Sequence, residues 1–204
     1  MHVRRADTIS AFATRGGILE AFLVSAGIVA LAEIGDKTQL LALVLAARYR
    51  RPVPVILGIL VATLANHALA AWLGAGVAAA LGPAALRWIL GLSFLAMAAW
   101  TLVPDKPEKE RLQSARLGAF AATLFAFFLL EMGDKTQIAT VALAARYASI
   151  AAVVAGTTFG MMLADVPAVY FGERVLRRVP AKTMHRVAAT SFALLGALAL
   201  IDAG

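Results

Sequence analysis

The sequence has no cysteine among its 204 residues, so disulfides and thiolate metal sites are excluded, and any bound metal must be held by oxygen or imidazole. Charge is also scarce. Asp, Glu, Lys and Arg make up 15% of the chain against 61% hydrophobic residues, and the mean hydropathy is +0.82. Ordinary soluble domains carry about 25% charged residues, so that class does not fit. Extended polar segments are missing too: only residues 104–115, with Pro104, Pro107 and mixed charges, form a polar loop of any length. The rest is apolar runs near 17–47, 53–81, 83–103, 116–146, 148–173 and 183–202. Crossing a bilayer takes about 20 such residues. The expected fold is an all-α membrane protein with six transmembrane helices set in a lipid bilayer.

With no room for a soluble domain, the net charge of +7 is not read as a nucleic-acid surface. The basic residues flank the apolar runs, where the positive-inside bias places them. Lys and Arg number 12 around 48–51, 106–116 and 174–186 and 5 on the opposite side, so the first side is expected to be cytoplasmic and both termini outside. The first apolar run follows Arg4, Arg5 and Arg15 and contains the small residues Ser25, Ala26 and Gly27, as a signal peptide would. It continues directly into a segment that recurs later, and is therefore read as a span.

The recurrence organises the chain. Residues 33–49 read EIGDKTQLLALVLAARY and residues 131–147 read EMGDKTQIATVALAARY, an offset of 98 with 11 of 17 positions identical. The same offset pairs Gly58 with Gly156, His67 with Asp165 and Phe94 with Phe192. Four segments follow: a tail at 1–16, a three-helix unit at 17–103, a linker at 104–115 and a second three-helix unit at 116–204. Because three is odd, the second unit enters the membrane from the opposite side, which makes an inverted repeat and turns the two boxes toward each other.

Each box places Glu and Asp three apart and Glu and Lys four apart, so on a continuous helix Glu33, Asp36 and Lys37 share one face, as do Glu131, Asp134 and Lys135. An ionisable group within a span costs about 2.5 to 3.5 kcal/mol on insertion scales, and such groups normally line a polar interior or an ion pathway. Gly35 and Gly133 permit either close helix approach or a local break that frees backbone carbonyls for a cation. Thr38, Gln39, Thr136 and Gln137 add oxygens. Four carboxylates brought together, with two lysines offsetting part of their charge, suit a hard divalent cation such as Mn²⁺ or Ca²⁺. Crowded carboxylates repel one another and are expected to take up protons when the metal leaves, which makes the site an exchanger. The structural alternative is a packing device in which Glu and Lys of one box neutralise each other while Gly allows contact. Asn66, His67 and Asp165 are further polar groups at matched positions, in a supporting or pathway role or as packing groups. Arg48, Tyr49, Arg146 and Tyr147 are expected to be interface anchors, and Glu20, Trp72, Trp88 and Trp100 structural or belt residues.

Two E-x-G-D-K-T boxes in a six-helix chain, at Glu33 to Thr38 and Glu131 to Thr136, resemble the GDT-type family of calcium/manganese:proton exchangers, whose animal members act in the Golgi. The resemblance covers residues 17–203. It implies a secondary transporter, without enzymatic activity or resident cofactor, whose cation site is Glu33, Asp36, Glu131 and Asp134. Bacterial relatives of this short form are taken to export manganese. The Ala- and Arg-rich sequence without organelle targeting suits a bacterial cytoplasmic membrane. The central loop lacks the long acidic stretch of eukaryotic members, so regulation through it is not expected.

Three other readings compete. Export of a cationic organic solute, such as a basic amino acid, calls for aromatic or hydrogen-bonding groups near the boxes, and none cluster there. An intramembrane metal-dependent enzyme calls for a motif such as H-E-x-x-H or G-x-S-x-G, and neither occurs. A channel is told apart by flux that does not saturate. Oligomeric state is left open.

Overall fold

Runs of Ala, Leu, Val and Ile punctuated by Gly and Pro form eight helices in the computed structural model, which describes residues 17–103, 118–172 and 181–201. They are α1 (Ile18–Glu33), α2 (Lys37–Tyr49), α3 (Pro52–Ala80), α4 (Pro83–Thr101), α5 (Ala119–Glu131), α6 (Lys135–Arg146), α7 (Ile150–Phe171) and α8 (Ala181–Ile201). No strand occurs among the described residues. Local chemistry explains several boundaries. Pro52 and Pro83 open α3 and α4, where a missing N–H costs nothing. The Ser149 hydroxyl caps α7 by accepting from the Ala152 N–H at 3.3 Å. The predicted tail at 1–16 and linker at 104–115 lie outside the described residues.

Four of these helices, α3, α4, α7 and α8, are long and apolar enough to cross a membrane. The pair α1–α2 makes a fifth candidate if counted as one span, although its two parts are bent by 72°, and α5 is a shorter apolar helix. The expectation of continuous helices over 17–47 and 116–146 is therefore corrected: each run breaks inside its acidic box. The break follows from Gly35 and Gly133, whose φ values of 85° and 78° are left-handed and cannot continue a right-handed helix.

Packing follows the sequence repeat. Helix α1 lies along α7 and α5 along α3, while α4 packs on α8 and α3 on α7. Exchanging the halves converts the first pairing into the second and leaves the last two unchanged. Gly156 and Gly160, one turn apart on α7, sit against the Phe22 and Ala26 carbonyls of α1. On α3, Gly58 sits against the Phe120 carbonyl and Thr123 of α5. Small residues at membrane-helix contacts let backbones approach closely enough for dispersion to hold them. Phe94 and Phe192, equivalent positions of the two halves, stack at 6.3 Å between α4 and α8. Large apolar side chains such as Leu57, Trp72, Leu129 and Phe171 are exposed around this core, as they are where lipid replaces water.

Candidate functional site

Each box is a helix end, a short extended corner and a new helix start. Glu33 and Glu131 are the last residues of α1 and α5; Asp36 and Asp134 stand at the N-caps of α2 and α6. Between them Ile34 and Met132 are extended, and the Gly35 and Gly133 turns bring the aspartate N–H groups back to the glutamate carbonyls, at 3.0 Å for Asp36 and 3.1 Å for Asp134. Placing Glu33, Asp36 and Lys37 on one continuous helical stripe is thus incorrect, and the same holds for the second box. The local break foreseen at the glycines is what occurs.

The remaining box residues hold this corner. The Thr38 hydroxyl donates to Glu33 Oε2 at 2.5 Å and the Thr136 hydroxyl to Glu131 Oε2 at 3.0 Å. Gln39 Oε1 accepts from the Gly35 N–H at 3.0 Å, and Gln137 Oε1 accepts from the Gly133 N–H at 2.6 Å. The threonines therefore orient the acids and the glutamines brace the turns. Gln39 also donates from Nε2 to the Ala164 carbonyl of α7 at 2.9 Å, which ties the first box to the second half.

Across the halves, one carboxylate oxygen each from Glu33, Glu131 and Asp134 lies within 4.8 Å of the others, and all three residues are buried. Glu33 Oε1, Glu131 Oε1 and Asp134 Oδ2 have no hydrogen-bond donor. Three of the four expected carboxylates are thereby brought together. Asp36 meets Lys135 Nζ at 3.7 Å, and Lys37 Nζ meets Asp134 Oδ1 at 3.2 Å, so both ion pairs run from one box to the other. Crossed pairs tie the two boxes to each other, whereas the structural alternative pairs Glu and Lys within one box. The two lysines differ in access: the Lys37 side chain keeps 21% exposure and that of Lys135 2%.

Helix dipoles add to this pattern. The carbonyl ends of α1 and α5 carry partial negative charge beside Glu33 and Glu131, which favours a cation there. The N-termini of α2 and α6 carry partial positive charge beside Asp36 and Asp134.

The polar residues of α3 and α7 are buried as well. Asn66 Nδ2 donates to the Phe128 carbonyl of α5 at 3.0 Å, while His67 and Asp165 lie within the protein with no exposed surface. The sequence reading passed over Thr63 and Thr158, buried hydroxyls without a hydrogen-bond partner on the same two helices. Their spacing of four from His67 and seven from Asp165 was the available signal, because residues so spaced share a helix face. Arg48 and Arg146 lie 5.7 Å over the Tyr49 and Tyr147 rings at helix ends, and the Tyr147 hydroxyl donates to Glu20 at 3.4 Å.

The sequence model of a family described as divalent cation/proton antiporter GDT1 matches residues 21–109 and 119–204. Over 179 residues the chain is 52% identical to a Vibrio cholerae serotype O1 protein named "Putative manganese exporter", covering 87% of this chain and 89% of that protein. Proteins named "GDT1-like protein 3" from Oryza sativa subspecies indica and japonica are each 28% identical over 203 residues, covering 86% of this chain and 72% of theirs. No solved structure matches.

Proposed function

Since this chain belongs to the GDT1 family of divalent cation/proton antiporters, we propose that it exports Mn²⁺ across a bacterial cytoplasmic membrane in exchange for protons, through one site shared by its two boxes. The observation that carries this reading is the meeting of Glu33, Glu131 and Asp134, acids from both halves, within 4.8 Å in the protein interior. Their unpartnered oxygens offer hard anionic ligands of the kind Mn²⁺ and Ca²⁺ take. Asp36 completes the set from across its pairing with Lys135. The four carboxylates and two ammonium groups leave a formal net charge of −2, which one divalent cation or two protons cancel.

In this reading the lysines stand in for the cation. When the site is empty, Lys37 and Lys135 hold the aspartates of the opposite box; when Mn²⁺ arrives, its stronger field displaces them. The crossed pairs also join the halves, so ion binding and relative movement of the halves are coupled. Six spans then follow, with α1–α2 and α5–α6 as two broken spans of inverted repeats at 17–103 and 116–204, joined by the 104–115 linker and leaving both termini outside. Breaks at equivalent glycines and a packing pattern that survives exchange of the halves support that arrangement. The unequal access of Lys37 and Lys135 suits one state of an alternating-access cycle.

Proteoliposomes containing a trapped pH dye test the proposal. An imposed Mn²⁺ gradient is expected to drive proton movement in the opposite direction and to saturate, with E33Q, E131Q and D134N each losing at least about tenfold of the flux. Mn²⁺ flux indifferent to a pH gradient contradicts exchange.

A further inference from the structure

His67 on α3 and Asp165 on α7 occupy equivalent positions 98 residues apart, and the box chemistry uses neither. Both have no exposed surface, and neither the ring nitrogens of His67 nor the carboxylate oxygens of Asp165 have a hydrogen-bond partner. None of the ion pairs among the described residues includes Asp165. A carboxylate at such depth is costly without a partner, so its compensation must come from something other than a fixed side chain.

One contact places Asp165 beside the boxes: the backbone one residue before it is fastened to the first box, through the Gln39 amide on the Ala164 carbonyl. The equivalent place in the other half holds an imidazole, a neutral nitrogen donor that hard cations such as Mn²⁺ and Ca²⁺ favour less than carboxylate oxygen.

We propose that Asp165 is a further cation-binding residue, the carboxylate to which the divalent ion passes from Glu33 and Glu131 along one route, and that His67 makes the route through the other half chemically unequal. The proposal rests on the transport reading above and adds what that reading lacks, a source of inequality between two otherwise matched halves. An ion held by charge on one route and by a neutral donor on the other binds with different strength on its way in and out.

Mn²⁺ transport in proteoliposomes tests it. D165N is expected to raise the half-saturating Mn²⁺ concentration by about tenfold or more, the size of effect seen when a metal loses a supporting carboxylate. D165E should recover most of that loss and H67N should change it less than D165N. A merely structural Asp165 would instead lower the amount of folded protein without shifting half-saturation. D134N separates the two levels of argument. If D134N transports as the parent does, the box reading falls and this proposal with it; if D134N is inactive while D165N keeps the parent's half-saturation, this proposal alone is overturned. Should D165N fail to fold, a variant that leaves Asp165 intact decides the matter. Met161 is one turn before Asp165 and fully buried, and the chain has no native cysteine, so M161C carries the only thiol. A membrane-impermeant thiol reagent is expected to modify M161C, and Mn²⁺ to slow that modification. A rate indifferent to Mn²⁺, or no modification, contradicts the proposal.

Discussion

At Gly35 and Gly133 the backbone adopts a conformation that costs other residues about 1 to 2 kcal/mol, and both box corners depend on it. G35A and G133A are therefore expected to lower the melting temperature in detergent and to reduce Mn²⁺ flux more than stability, because the substitution moves the neighbouring acid. Flux equal to the parent's would show that the corner does not position the site. The lysines give a second prediction. Lys135 and Asp36 are 2% and 1% exposed, so K135M removes a partner from a buried pair, a change that typically costs about 3 to 5 kcal/mol. Adding D36N should restore thermal stability without restoring transport; a double variant as unstable as K135M would argue against the pairing. Residue spacing pointed to the acids, lysines, Thr and Gln of both boxes, and the structure brings three of the four carboxylates together, because a duplicated charged motif stands out inside apolar sequence. It did not yield the crossed pairing, which depends on how two segments 98 residues apart meet in space.

Among the helices, glycine acts in a different way, by letting two backbones come together. A side chain at Gly160 would strike the Ala26 carbonyl of α1, whereas one at Gly27 or Gly76 meets nothing within 4 Å. G160V is expected to lose most of the folded protein, since overpacking costs about 1 to 3 kcal/mol or more. G27A and G76A should be neutral or slightly stabilising, Ala being the better helix former by up to about 1 kcal/mol. Size-exclusion profiles and melting curves of the three variants make the comparison, and equal yields would refute it. The spans of α3, α4, α7 and α8 were legible because each is a single apolar run of sufficient length. The breaks after α1 and α5 were legible only as one of two roles for Gly35 and Gly133, because hydropathy continues through Ile34 and Met132 and only the backbone angle at the following glycine interrupts the helix.

In the proposed transporter, two matched halves make one ion site between them. Proximity of Glu33 to Glu131 is the structural basis, and the repeat alone cannot distinguish one shared site from two separate ones. Mn²⁺ binding to the purified protein, followed by isothermal titration with the free ion checked by its electron paramagnetic resonance signal, makes that distinction. One Mn²⁺ per chain is expected, with E33Q alone and E131Q alone each weakening binding by at least about tenfold. Two ions per chain, or a single variant that loses one ion and keeps the other at parent affinity, would contradict it.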